Sequence, residues 1–381
     1  MVFAIVLFSI FFAFGMVFPK SKAVAFSMLI FLWVFYAFNT FSGDYEVYRV
    51  FYEEVSLTYL FLHFESGFSS LMAIFRLMSL PFLAFKIGLG ALFVILLHVA
   101  IRLYTDREAM VLAVFMIFPF MYYVSVLRAG IAMLLITISI HFLLDSSKKG
   151  LIKYIVFITL TALLFHYSSL ILLLLIFARK GNIKNSFMIA IVFAMILAIL
   201  MYTNALYHLA DIFIDNTEIL EWLLVSSSNG GLNYKGRLAQ IVILTLIVSL
   251  ITRLNYKHVH QLEYNNLTRL PLYESKLLKV VCHSNILLLT LIPLLMITDV
   301  WMRIVWSLVL IDIIVCVNSF SIKRISFAKR IVVVQRKPLF VTAMFAFVVL
   351  CLLYSNYPYF NTPISFENYF RNNLVFQLFP F

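Results

Sequence analysis

Long apolar stretches alternate with short clusters of lysine and arginine along the whole 381-residue chain. No other feature limits the fold as much. A helix needs about 20 apolar residues to cross a hydrocarbon core roughly 30 Å thick, and stretches approaching that length recur here from end to end. With 64% hydrophobic residues, 12% charged residues and a mean hydropathy of +1.03, the chain has too little polar surface to cover a water-soluble core. In lipid every backbone polar group must be satisfied internally, so the spanning segments must be helices or a closed barrel, and the long unbroken runs select helices. The expectation is an all-α polytopic membrane protein, residues 1–381 forming one membrane domain.

Twelve spans are predicted: 2–18, 24–41, 82–103, 109–123, 129–144, 151–165, 168–177, 186–202, 238–251, 277–297, 301–317 and 339–354. Met1–Phe18 lacks a basic leader and a small-residue cleavage site, so it reads as a retained first helix. Glu65–Leu80 is apolar enough to be a span. Counting it as one would invert everything after it, so it is expected to be a re-entrant or interfacial helix ended by Pro81.

Orientation follows from charge. With the loop after the first span placed in the cytoplasm, 21 of the 29 lysines and arginines fall on the cytoplasmic side. The positive-inside rule requires such a bias. The net charge of +12 is therefore an orienting signal and not a nucleic-acid footprint. Eight basic residues remain for the outer face: Arg49, Arg76, Lys86, Arg128, Lys235, Arg237, Arg303 and Arg371. Outer loops are expected at about 42–81 and 203–237, and a longer cytoplasmic loop at about 253–276.

The chain carries no nucleotide loop, zinc motif or nucleophile elbow. Cys282, Cys316 and Cys351 have neither disulfide nor metal spacing. No cofactor or metal is expected. The candidates for chemistry are ionisable residues near the outer surface, where a charge at membrane depth costs about 2.5–3.5 kcal/mol and needs a reason. Arg128 opens the segment RAGIAMLLITISI; a phosphate-gripping fork and an interfacial anchor both fit it. His166 stands near the outer end of a helix, as a base for a sugar hydroxyl or as a helix–helix hydrogen bond. Asp299 and Arg303, at i and i+4, make either a structural pair or a headgroup site. Tyr234, Lys235 and Arg237 lie in NYKGR beside a span. Asp44, Tyr48, Tyr52, His63 and Glu65 form an acidic-aromatic set suited to sugar, or to an interfacial belt.

The segments GDYEVYRVFYEE, FESGFSSLMAIFR, VLRAGIAMLLITISIHFLL and LTALLFHYSSLILLLL together resemble the EpsG-like family of bacterial polysaccharide polymerases, related in role to the Wzy O-antigen polymerases. The residues carrying the resemblance are Asp44 and Tyr48; Glu65, Gly67 and Phe68; Arg128; His166 and Ser168; and the late Arg303. It implies a multi-pass protein of the bacterial inner membrane with its active site toward the periplasm or exterior. It also implies a glycosyltransferase that moves a growing undecaprenyl-diphosphate-linked glycan onto an incoming lipid-linked repeat unit, with a chain-length regulator as a possible partner. On that resemblance Arg128, Arg303 and Arg237 would bind diphosphate, and His166, Asp44 or Glu65 would act on the acceptor. Asp299, Tyr48, Ser168, Tyr234 and Lys235 would support them. A lipid-linked oligosaccharide flippase or other transporter, an O-antigen ligase and a membrane acyltransferase are the alternatives. The first would show paired halves with matching broken helices, and none are visible in the sequence.

Overall fold

The computed structural model describes residues 2–40, 45–54, 56, 58, 64–117, 119–179, 182–203, 272–295, 301–319, 323–327, 330–334 and 372–377. These are helical except for a short antiparallel hairpin, Lys323–Phe327 with Arg330–Val334, in a segment expected to be a cytoplasmic loop. The expected spans 238–251 and 339–354 lie outside the described residues.

Among the described residues, four helices are both long and apolar enough to cross a bilayer: Phe82–Arg102, Leu127–Leu144, Ile183–Leu200 and Ser275–Leu294. Shorter apolar helices cover Val6–Val17, Lys22–Phe38, Glu108–Ile117 and Tyr167–Ala178. Two expected spans are interrupted. The stretch 109–123 is divided into Glu108–Ile117 and Phe120–Ser125, with Pro119 at the start of the second helix, where its missing N–H costs nothing. The stretch 301–317 becomes Met302–Trp306 and Val309–Ser319. The shortest expected span, 168–177, is a 3-10 helix over Tyr167–Ala178. At about 2.0 Å per residue, that winding carries 12 residues roughly 24 Å, against 18 Å for an α-helix.

Local chemistry explains several helix ends. Ser21 and Ser147 accept from the backbone N–H of Val24 and Gly150, capping the helices that start at Lys22 and Lys148. The Glu65–Leu80 segment forms a helix over Ser66–Leu77. Twelve residues reach about 18 Å, too short to cross. The helix ends in a Schellman turn. Ser79 takes a left-handed conformation (φ 54°), its N–H bonds Arg76 O at 2.8 Å, and Leu80 N–H bonds Phe75 O at 3.1 Å. Pro81 then caps the Phe82–Arg102 helix.

Contacts divide the chain into two compact units. One comprises Met1–Ile171 and Val309–Phe381, the other Leu172–Leu308. In the first, the Lys22–Phe38 helix packs along Phe82–Arg102, and the latter packs on Leu127–Leu144. Phe35, Tyr36, Phe93 and Tyr123 are buried there, with Tyr36 and Phe93 stacked at 4.8 Å. Arg107 and Asn318 bond the carbonyls of Val317 and Tyr104, tying the end of the Val309–Ser319 helix to the loop after Arg102. In the second unit, Ile183–Tyr202 packs on Leu272–Leu288, joined by a buried 2.7 Å hydrogen bond between Ser186 and His283.

Candidate active site

Three breaks in helical structure meet in the first unit, and each contributes one ionisable side chain. Glu65 is the N-cap residue of the Ser66–Leu77 helix. Arg128 sits in the first turn of Leu127–Leu144, just after Val126 leaves helical geometry (φ −117°, ψ 70°). His166 lies between the end of Lys148–Leu164 and the start of the 3-10 helix. These positions are 63 and 38 residues apart in sequence, yet their side chains converge on one carboxylate.

That carboxylate belongs to Glu65, which is buried. Its Oε2 accepts a hydrogen bond from an Arg128 guanidinium nitrogen. Its Oε1 accepts from the backbone N–H of Tyr167 at 3.0 Å. Nδ1 of His166 faces the same Oε1 at 3.7 Å, within ion-pair range. The Tyr167 bond has a simple origin: the first N–H groups of a helix have no internal partner, and the positive end of the helix favours an anion. Glu65 supplies that anion to the 3-10 helix. Burial by itself would raise the Glu65 carboxyl, but the neighbouring His166 imidazole and the charge of Arg128 outweigh burial and hold it below the ordinary glutamate range.

Small residues make the convergence possible. A Cβ on Gly67 would lie 2.6 Å from the backbone oxygen of Leu164, so only glycine lets the Ser66–Leu77 helix approach the end of Lys148–Leu164 this closely. Ser66 bonds Leu163 O at 3.2 Å across the same contact. A Cβ on Gly130 would lie 2.7 Å from Tyr123 O, so Gly130 performs the same service beside Arg128.

An aromatic floor supports the charges. The Phe64 ring lies 5.2 Å from the Arg128 guanidinium, a cation–π contact. Phe51, Tyr48 and Phe68 pack on Phe64 at 4.8, 5.5 and 5.8 Å. Tyr48 and Tyr52 are buried on one face of the Tyr45–Glu53 helix, and Tyr52 donates to Leu80 O at 2.8 Å. Tyr48 thus touches the cluster through Phe64 and Phe68. The Ser168 hydroxyl, two residues from His166, is buried with no hydrogen-bond partner among the described residues.

A family model of the EpsG family matches residues 22–362. The chain belongs to the EpsG family. No curated protein and no solved structure matches it. Membership makes it a membrane protein of glycan-polymerase type, and the match spans all three residues of the cluster.

Arg303 of this EpsG-family chain lies in the Met302–Trp306 helix of the second unit and is half-buried. Asp44, His63, Tyr234, Lys235, Arg237 and Asp299 fall outside the described residues. Two residues with distinctive surroundings are missed by the sequence reading. Nothing in the sequence singles out Phe64. Lys86 was counted as an ordinary outer-face cation, yet it is buried, donates to the Asn39 carbonyl and lies 4.7 Å from the centre of the Tyr45 ring. A signal for Lys86 was available: it follows Phe82 and Phe85 and precedes Leu89 at helical spacing, so it shares their inward face.

Proposed function

We propose that this protein is a polysaccharide polymerase of the bacterial inner membrane. It would have about twelve spans in one membrane domain and a site facing the periplasm or exterior. It transfers a growing undecaprenyl-diphosphate-linked glycan onto an incoming lipid-linked repeat unit, for an O-antigen or a similar surface polysaccharide. The observation that supports this reading is the convergence of Arg128 and His166 on Glu65. Three sequence blocks that carry the family resemblance thus contribute to one cluster.

The chemistry divides among these residues as follows. An acceptor hydroxyl oxygen bonds to the anomeric carbon of the donor glycan. The bond from that carbon to the diphosphate oxygen breaks, and the diphosphate leaves with the electron pair. Its growing charge needs fixed cations, and a planar guanidinium meets phosphate oxygens two at a time. Arg128 takes that role, with Arg303 and Arg237 as further diphosphate ligands. Asp299 steadies Arg303, and Tyr234 and Lys235 flank Arg237. The acceptor proton passes to His166. A neutral imidazole whose Nδ1–H is turned toward Glu65 leaves Nε2 as the accepting atom. Both Glu65 oxygens already serve neighbours, so Glu65 orients Arg128 and His166 and is not the base. Asp44 is left to bind acceptor hydroxyls, with Ser168 beside His166. The donor and acceptor lipids occupy the surrounding membrane, and a chain-length regulator is the expected protein partner.

The test is surface-glycan length in a deletion strain carrying Arg128→Ala, His166→Ala or Arg303→Ala. The expected product is a single repeat unit attached to lipid A core, at normal protein levels. Loss of all attached glycan would indicate a ligase instead, and units stranded inside the cell a flippase. Full-length polymer from Arg128→Ala and His166→Ala would remove the assigned site.

A further inference from the structure

An apolar groove of 680 Å³ lies between the Lys22–Phe38 and Phe82–Arg102 helices. Phe82 and Phe85 pack against the aromatic floor of the candidate site, whereas the groove occupies the other half of that helix, from Ala91 to Arg102. Phe26, Ile30 and Ile95 line it and are open to the surroundings, with Phe26 65% and Ile95 58% exposed. Trp33 borders the Ala91 end with its indole N–H satisfied by Ile87 O at 3.1 Å, so its indole offers no free donor there.

The mouth is different. Lys22, His98, Arg102 and Glu108 all border the groove there. His98 and Glu108 satisfy each other at 2.5 Å. Nearby Lys20 is matched by Asp106, also at 2.5 Å. Neither Lys22 nor Arg102 has an ion-pair partner among the described residues. Two cations without an ion-pair partner among the described residues therefore stand at one end of an apolar slot.

We propose that the groove holds one acyl chain of an anionic glycerophospholipid, its phosphate between Lys22 and Arg102. Length and charge together select this occupant. From Ala91 to Arg102 the helix rises about 16 Å, and one leaflet contributes about 15 Å of hydrocarbon. Lys22 and Arg102 lie at helix ends that the charge bias assigns to the cytoplasmic side, where the anionic leaflet lies. The site is thus set apart from the proposed polymerase chemistry and does not depend on it.

The experiment is native mass spectrometry of the full-length protein exchanged into equal amounts of phosphatidylglycerol and phosphatidylcholine. The wild type should retain phosphatidylglycerol in excess. Lys22→Gln with Arg102→Gln should cut that excess roughly tenfold or more, while Lys22→Arg with Arg102→Lys should keep it. Ala91→Phe, which fills the slot without touching charge, should also lower retention. Equal retention of the two lipids by the wild type would overturn the proposal. So would an excess that survives the double glutamine variant, or phosphatidylglycerol retention that Ala91→Phe leaves unchanged.

Discussion

Two cation–carboxylate pairs in the same unit of this protein have similar chemistry and opposite surroundings. Lys20 and Asp106 meet at 2.5 Å with side chains 58% and 60% exposed. Arg128 and Glu65 meet with side chains 18% and 3% exposed. The first pair is screened by water and contributes about 0–1 kcal/mol. The second has lost its water, so each partner depends on the other, and removing one strands a charge. A buried pair of this kind is weak evidence for stability, since desolvation consumes much of the attraction. What it provides is position. It fixes a guanidinium and an imidazole beside the start of the 3-10 helix, where a loose pair would leave both to wander.

The sharpest way to break this contrast is to delete one buried partner. Glu65→Ala should cost about 3–5 kcal/mol, measured as lost heat stability of the detergent-purified protein, and should abolish polymer formation. Glu65→Leu combined with Arg128→Met should recover most of that stability and none of the activity, because apolar side chains need no counter-charge. An outcome in which Glu65→Ala is as stable as the wild type would mean that the carboxylate is not the anchor.

Close packing comes next. Gly67→Ala places a methyl against the Leu164 backbone, which cannot retreat as a flexible side chain would. The expected cost is about 1–3 kcal/mol, with a fall in polymer length as Glu65 moves away from Tyr167 N–H. The chain-length pattern of the surface glycan reads the second effect separately from the first.

Acid gives a third contrast. Glu65 is held below its ordinary range, so its contribution to stability is complete above the unfolded-chain value of roughly 4.3. That contribution is lost as pH falls through the lower folded value. Thermal unfolding of wild type and Glu65→Gln between neutral pH and pH 3 should therefore converge at the acid end. Curves that run parallel to the lowest pH would show that the carboxyl is not ionised in the folded protein.

The smallest effect belongs to the exposed pair. Asp106 is also held low, chiefly by its hydrogen bond to Lys20. Asp106→Asn should nonetheless change stability by no more than about 1 kcal/mol and leave glycan length untouched. Added salt should erase even that difference. A large loss here would undo the argument that burial sets the difference between the pairs.

Much of this was legible in the linear chain. The helices starting at Val2, Lys22, Phe82, Leu127, Lys148 and Ile183 fall within a few residues of the expected spans, because apolar length alone dictates them. The Ser66–Leu77 helix was isolated by charge bookkeeping and by Pro81. Arg128, His166 and Glu65 are each visible in the sequence as ionisable residues beside apolar runs. Their mutual contact was not, because no periodicity links residue 65 to 128 or 166. The 3-10 winding of Tyr167–Ala178 was also hidden, since an apolar run fits either helix and only the packing around it selects the tighter turn.

The amino-acid order on its own decided the solvent. That is a sum over many residues, and a bilayer reads apolar length without needing the fold. Tertiary packing alone decided that Glu65 is a shared counter-ion and that Phe64 faces Arg128. Each of these depends on which helix ends meet, and that is set by contacts as specific as Leu164 O against a missing Cβ at Gly67.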